Sequence, residues 1–372
     1  MKAEQYFISL VGCSLNGEEP KEIPEEVEWK DVYALSRYHS MANLSFHSMD
    51  KLKKKPDRDL YARWQEMSRK SVAKELRFHS ELQKILSVFE REGIPYLPLK
   101  GIILKNDYPS AGMRQMADMD ILIQCSDQRL LKNRMEEIGY AYNGEHGHHH
   151  VFMKSPDYNI ELHTGLLPEE DSSAGYYNKI WEMAEKAEGS LCGYRMSRDD
   201  FYIYLLAHMN KHYRGGGCGL RSLTDIYVYL TKNSPDMEYV TKELALLGLR
   251  EFEQRLSSLA FSLFTGEENA VLYEKELNYL LQSGTYGTQE NSIRNKLTGY
   301  RNLQGTLWNA KVQYLTARLL LSPAKLKESR PILKKYPFLY PVISAGRIFS
   351  GIRKVKRIGK EISTVIFMKD RS

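Results

Sequence analysis

The sequence predicts an α+β protein in which a small mixed β-sheet is embedded between helical regions. Three observations predict it. Between Leu60 and Glu92, the residues Leu60, Trp64, Met67, Val72, Leu76, Leu82, Ile85 and Phe89 recur at helical intervals, the mark of a long amphipathic helix. Within 93–170, short segments of strand character follow: Ile94–Leu99, an apolar run ending in Ile121-Leu-Ile123, then His150–Lys154 and the alternating Tyr158–His163. From Tyr176 to Ser322 the pattern is helical again, broken by Arg214-Gly-Gly-Gly-Cys-Gly219.

In chain order this gives an N-terminal helical region over 1–92, an α/β core over 93–170, a helical domain over 176–322 and a basic C-terminal segment over 323–372. Lys51-Leu-Lys-Lys-Lys-Pro56 reads as a solvated loop before the long helix, and the polar, turn-rich Pro168–Gly175 closes the core. A chain of 372 residues suggests about two domains, and 42% hydrophobic residues give ample material for a core. A net charge of +6 is modest at this size and does not by itself call for nucleic acid. No apolar run approaches the ~18 residues of a membrane-spanning helix, and Tyr6–Val11 is too short for a signal-peptide core. Cys13, Cys125, Cys192 and Cys218 form no Cys-x-x-Cys pair and read as reduced thiols, so a cytoplasmic enzyme is expected.

The chemistry concentrates in the core. Residues two apart on a strand share a face, so Asp118 and Asp120 project together at the head of the apolar run while Met119 points away. Two adjacent anions repel unless a cation lies between them. Mg²⁺ or Mn²⁺ is the expected answer, because hard cations take carboxylate oxygens and bridge to phosphates. Glu161, on a later strand, supplies a third carboxylate, enough for two ions roughly 3.5–4 Å apart. Upstream, a strand runs into Lys100-Gly101, where glycine admits a ligand close to the backbone, and a short helix from Ile102 to about Asn106 would aim its N–H groups at an anion.

These residues carry a resemblance. Leu99-Lys100-Gly101, Tyr108-Pro109, Arg114-Gln-Met116-Ala-Asp118-Met-Asp120-Ile-Leu122 and Glu161-Leu-His163 resemble the uncharacterised nucleotidyltransferases of the polymerase-beta-like superfamily. The likeness extends through His208–His212, Leu220–Asp225 and Lys334–Pro341. One departure is that the superfamily's usual Gly-Gly or Gly-Ser pair is here Lys100-Gly101, which puts a positive charge where others carry a hydroxyl.

The resemblance implies a small-sheet nucleotidyltransferase core and transfer of a nucleoside monophosphate from an NTP, ATP foremost, to an acceptor hydroxyl with release of pyrophosphate. Asp118, Asp120 and Glu161 would be the catalytic and metal-binding residues, Glu161 also a candidate base, with Lys100, Gly101 and Arg114 around the triphosphate. The acceptor, small molecule or macromolecule, is not named by the sequence. Two alternatives stand beside this reading: a non-catalytic nucleotide-binding regulatory protein, and a toxin–antitoxin or defence enzyme modifying RNA or protein.

Arg114 admits a second reading, an ion pair with the acidic cluster. His150 and His163 are further candidate substrate contacts; the tract Glu145–His150 could bind a metal by composition. His208 and His212 share a helix face, but the intervening Met209, Asn210 and Lys211 lack the glutamate of a zinc-protease motif, so packing or substrate contact is expected. Arg221 and Asp225 read as an intrahelical ion pair, with nucleotide contact as the sharper alternative. The final stretch Val342–Phe367, with Arg347, Arg353, Lys354, Lys356, Arg357 and Lys360, is read as a basic helix packed on the helical domain, with peripheral membrane or nucleic-acid contact as the alternative.

Overall fold

A sheet of five strands organises the protein, and its two faces have opposite characters. The computed structural model describes residues 3–167, 171, 173–266, 273–319, 332–340, 343 and 355–368. The strands are β1 (Tyr96–Pro98), β2 (Met119–Ile123), β3 (Ala141–His146), β4 (His149–Lys154) and β5 (Tyr158–His163), in the spatial order β1-β2-β5-β4-β3. β2 and β5 run parallel and the other neighbours antiparallel, so the sheet is mixed as expected. The predicted α+β class is the class observed.

One sheet face is apolar. Met119, Ile121 and Ile123 of β2 point to it with Phe152, Ile160 and Leu162, and all are buried. They meet Phe78, Leu82, Ile85, Val88 and Phe89 of α4 (Arg58–Glu92) and Leu131 and Met135 of α6 (Gln128–Glu137). Truncating a phenylalanine at such a contact costs about 3–5 kcal/mol. The 35 residues of α4 start at Asp57, whose carboxylate accepts from the N–H groups of Asp59 and Leu60, and stop at Gly93, whose φ of 68° only glycine adopts without strain. Trp64 of α4 donates its indole N–H to the Ala42 carbonyl at 2.9 Å, tying in α1 (Ala3–Asn16), α2 (Trp29–Tyr38) and α3 (Ala42–Met49).

The other face carries the chemistry, because period-two alternation sends Asp120, Glu161 and His163 to the side away from α4. The short helix expected after Lys100 is α5 (Gly101–Leu104), continued as a 3₁₀ turn over Lys105–Asp107. The region after 176 is not purely helical as expected. After the one-turn α7 (Ile180–Met183), β6 (Glu185–Lys186) and β7 (Tyr194–Arg195) form a small hairpin. Glu90 of α4 holds its loop, accepting from the N–H groups of Leu191 and Cys192 at 3.0 and 3.1 Å. Then follow α8 (Arg198–Gly215), α9 (Leu220–Asn233), α10 (Met237–Leu246), α11 (Arg250–Thr265) and α12 (Glu274–Ser283).

By compactness the chain divides into Met1–Lys211 with Cys218–Thr285, and His212–Gly217 with Tyr286–Ser372. The four regions read from composition remain a division of the sequence. The second unit contains α13 (Gln289–Gln304), α14 (Leu307–Leu319), α15 (Ile332–Lys335) and α16 (Val355–Phe367), with Ile293, Leu297, Ala310, Tyr314 and Val365 as its core. Of the basic C-terminal residues, Arg347, Arg353 and Lys354 lie outside the described residues, as do Pro168–Glu170 and Ser172 of the expected turn. Among the described residues no helix is long and apolar enough to cross a membrane.

Candidate active site

The parallel pairing of β2 with β5 sets Asp120 directly beside Glu161, and Leu122 beside His163. Asp118, one residue before β2 and two before Asp120, stands at the strand's entrance. Asp120 is buried, and its Oδ1 takes two contacts: Lys100 Nζ at 2.8 Å and His163 Nε2 at 2.7 Å. Oδ2 receives neither. Glu161 Oε2 lies 3.6 Å from His149 Nε2 and 3.8 Å from His163 Nε2. Burial lowers the pKa of both imidazoles, His149 to about 4, so at neutral pH these are contacts of neutral rings rather than ion pairs.

The electrostatics single out this cluster. Burial pushes Asp120 up, but the Lys100 charge and the His163 bond outweigh it and hold the carboxyl well below the usual range. Asp118 and Glu161 move the other way. Burial raises both, the Asp120 charge raises both further, and Glu161 reaches about 7. Three carboxylates in one half-buried pocket cannot all ionise cheaply without more positive charge, and their oxygens are the donors a hard cation takes. Asp120, Glu161 and His163 each offer a ligand atom within 4.8 Å of the others, so the residues present fit a divalent ion.

A stability prediction follows for the metal-free protein. Glu161 has a folded pKa above its ordinary 4.5, so in the folded state it holds its proton to higher pH. Its contribution to stability is therefore fully present below about 4.5 and is lost as pH rises through about 7. In chelator, Glu161→Gln is expected to flatten this part of the melting-temperature profile between these values. An unchanged profile would contradict the assigned burial and repulsion.

Lys100 is itself in an unusual conformation. Its φ of 49° and ψ of −118° place it at the second position of a tight turn closed by Ile102 N–H on the Leu99 carbonyl at 3.3 Å. Turns of this hand favour glycine there, and a side chain costs about 1–3 kcal/mol. The strain delivers the ammonium to Asp120. Gly101 follows, and a β-carbon on it would run into Arg114 Nη1 and stand 2.9 Å from Met116 Sδ.

Arg114 cannot easily give way. Its Nε and Nη2 fork onto the two oxygens of Asp225 at 2.8 and 2.9 Å, and Tyr108 donates to the same carboxylate at 2.8 Å, all buried. The ion pair expected of Arg114 thus exists, but with Asp225 of α9 rather than the metal-site carboxylates. Arg221 donates from Nη1 to the Gln115 carbonyl at 2.9 Å, and its charge offsets part of the rise that burial and Asp120 impose on Asp118. The two ends of α9's first turns therefore brace the loop that carries Asp118.

A family model described as uncharacterised nucleotidyltransferase matches residues 25–265. The chain belongs to this family. No curated protein and no solved structure matches it. Membership makes the chain a nucleotidyltransferase in general character and implies an NTP substrate.

Of the residues singled out by sequence, this nucleotidyltransferase brings Lys100, Asp118, Asp120, Glu161 and His163 together, with Gly101 and Arg114 in the adjoining wall. His150 is not brought to them. It pairs across the strands with Leu162, on the opposite face, and its Nδ1 lies 3.5 Å from Tyr142 Oη. The imidazole beside Glu161 is that of His149, opposite His163. The His208 ring lies tilted against Tyr204, with centroids 6.1 Å apart, and His212 belongs to the second unit. Sequence reasoning flagged the tract Glu145–His150 as a whole but singled out His150 rather than His149, which pairs with His163, and it missed Lys211.

Proposed function

We propose that this nucleotidyltransferase uses Mg²⁺ or Mn²⁺, held by Asp118, Asp120 and Glu161, to transfer a nucleoside monophosphate from an NTP to an acceptor hydroxyl. The observation that carries the reading is the side-by-side register of Asp120 and Glu161 with Asp118 at the strand entrance. When bound, the cation would neutralise charge on the phosphates and lower the pKa of the attacking hydroxyl.

The chain's own groups supply the rest. The acceptor oxygen bonds to the α-phosphorus, the bond to the β-phosphate bridge breaks, and its electron pair leaves on pyrophosphate. The hydroxyl proton passes to Glu161, the carboxylate beside Asp120 and the candidate base of the site. Lys100 supplies the positive charge for the triphosphate, and the Gly101 backbone permits close approach. Lys211 joins it. Burial, then the charge of Lys100, lowers the Lys211 pKa, and two ammonium groups that repel each other in a half-buried pocket are eased by an anion between them. Arg114, locked on Asp225, keeps the pocket wall in place.

Lys211→Ala is accordingly expected to raise KM for NTP about tenfold, a loss of about 1.4 kcal/mol, with kcat little changed. An unchanged KM would remove Lys211 from the site. The reading as a whole is tested by pyrophosphate release from each NTP, ATP first, with Mg²⁺ or Mn²⁺ and a cell extract as acceptor source. Release that depends on metal and extract supports it. Tight NTP binding with no release under any condition would favour a regulatory nucleotide-binding protein instead.

A further inference from the structure

The β3–β4 hairpin and the end of β5 bring three imidazoles together beside the carboxylates. His148 lies in the hairpin turn after Gly147, whose φ is 64°; His149 opens β4; His163 closes β5 opposite it. Their ring centroids are 5.4 Å apart for His148–His149, 5.5 Å for His148–His163 and 5.1 Å for His149–His163. One nitrogen from each ring lies within 4.8 Å of the other two.

Two of these rings have a buried nitrogen to spare. Among the described residues, Nδ1 of His149 and Nδ1 of His163 have no hydrogen-bond partner, and His163 is only 3% exposed. A buried polar atom left unsatisfied costs about 1–3 kcal/mol. The other nitrogen of His163, Nε2, bonds to Asp120 Oδ1 at 2.7 Å. A carboxylate holding one ring N–H fixes the tautomer and presents the opposite nitrogen as a lone pair, as in metal-ligating histidines.

We propose that His148, His149 and His163 form a binding site for a first-row transition dication of the Zn²⁺, Co²⁺ or Ni²⁺ type. Imidazole donors favour these ions, whereas Mg²⁺ favours the oxygens of Asp118, Asp120 and Glu161. Ligand nitrogens sit about 2.0–2.1 Å from such an ion, so small ring rotations close the trio around it, and the glycine turn lets His148 move. Three protein ligands leave a fourth position open. Through the His163–Asp120 bond the ion would adjoin the carboxylate centre, but its binding does not depend on nucleotidyl transfer.

The test is titration of Co²⁺ into the metal-stripped full chain, followed by visible absorption. One equivalent of Co²⁺ is expected to give bands more intense than the aqua ion, which persist in excess Mg²⁺. His148→Ala and His149→Ala, checked for folding by circular dichroism, are expected to weaken binding at least ~10-fold. Asp118→Asn and His146→Ala should retain the bands. Aqua-ion absorption in the wild type, bands unchanged in both histidine variants, or displacement by Mg²⁺ would each overturn the proposal.

Discussion

Exchanging Asp120 for asparagine is expected to lower transfer on the order of 10³-fold or more, with the melting temperature falling as well. Asp120 is the carboxylate that meets Lys100 and His163 and stands beside Glu161. Its neutral replacement weakens the cation site and leaves the Lys100 ammonium without its nearest counter-charge. Asp118→Asn separates the two effects. Asp118 is raised by burial and by the Asp120 charge, so it sits in the metal-free pocket at a cost. Its amide should abolish transfer to a similar degree while leaving the melting temperature in chelator unchanged or higher. Wild-type activity in either variant would remove that residue from the reaction, and equal destabilisation by both would refute the assigned asymmetry.

The second large effect is structural. Arg114→Ala removes the guanidinium fork from the buried Asp225 carboxylate, which keeps the Tyr108 hydroxyl, and breaking a buried ion pair from one side costs about 3–5 kcal/mol. A melting temperature lowered by about 10 °C is expected. Replacing both partners, Arg114→Met with Asp225→Leu, should recover much of the loss, because no charge is then stranded. A single variant as stable as wild type would show that the fork contributes nothing.

The parts of the site legible in the sequence were those set by local periodicity. Asp120 and Glu161 fall on one face because strands alternate, Asp118 stands two residues before Asp120 at the strand entrance, and the long helix α4 declares itself by its apolar spacing. Parallel pairing then sets Asp120 beside Glu161. The choice between His149 and His150 turned on a single residue of register, which reverses the face a side chain occupies. The Arg114–Asp225 fork joins positions 111 residues apart, and no spacing rule reaches that far. Arg221 and Asp225 suggested an intrahelical pair, and nothing in their spacing announced Arg114 and Tyr108 as partners of the Asp225 carboxylate. The β6–β7 hairpin, two residues a strand, is too short to carry a period and is held by Glu90 from a distant helix. Lys100 illustrates the converse: a charged residue in a backbone position suited to glycine is visible only once φ is known.

The most direct test of the central claim is parallel incubation of the purified chain with α-labelled and γ-labelled NTP, Mg²⁺ or Mn²⁺, and cell extract. The account predicts that α-label passes to an acceptor while γ-label appears in pyrophosphate, and that Asp118→Asn and Asp120→Asn lose both. Transfer of γ-label to the acceptor, or α-label transfer that survives in both variants, would contradict it.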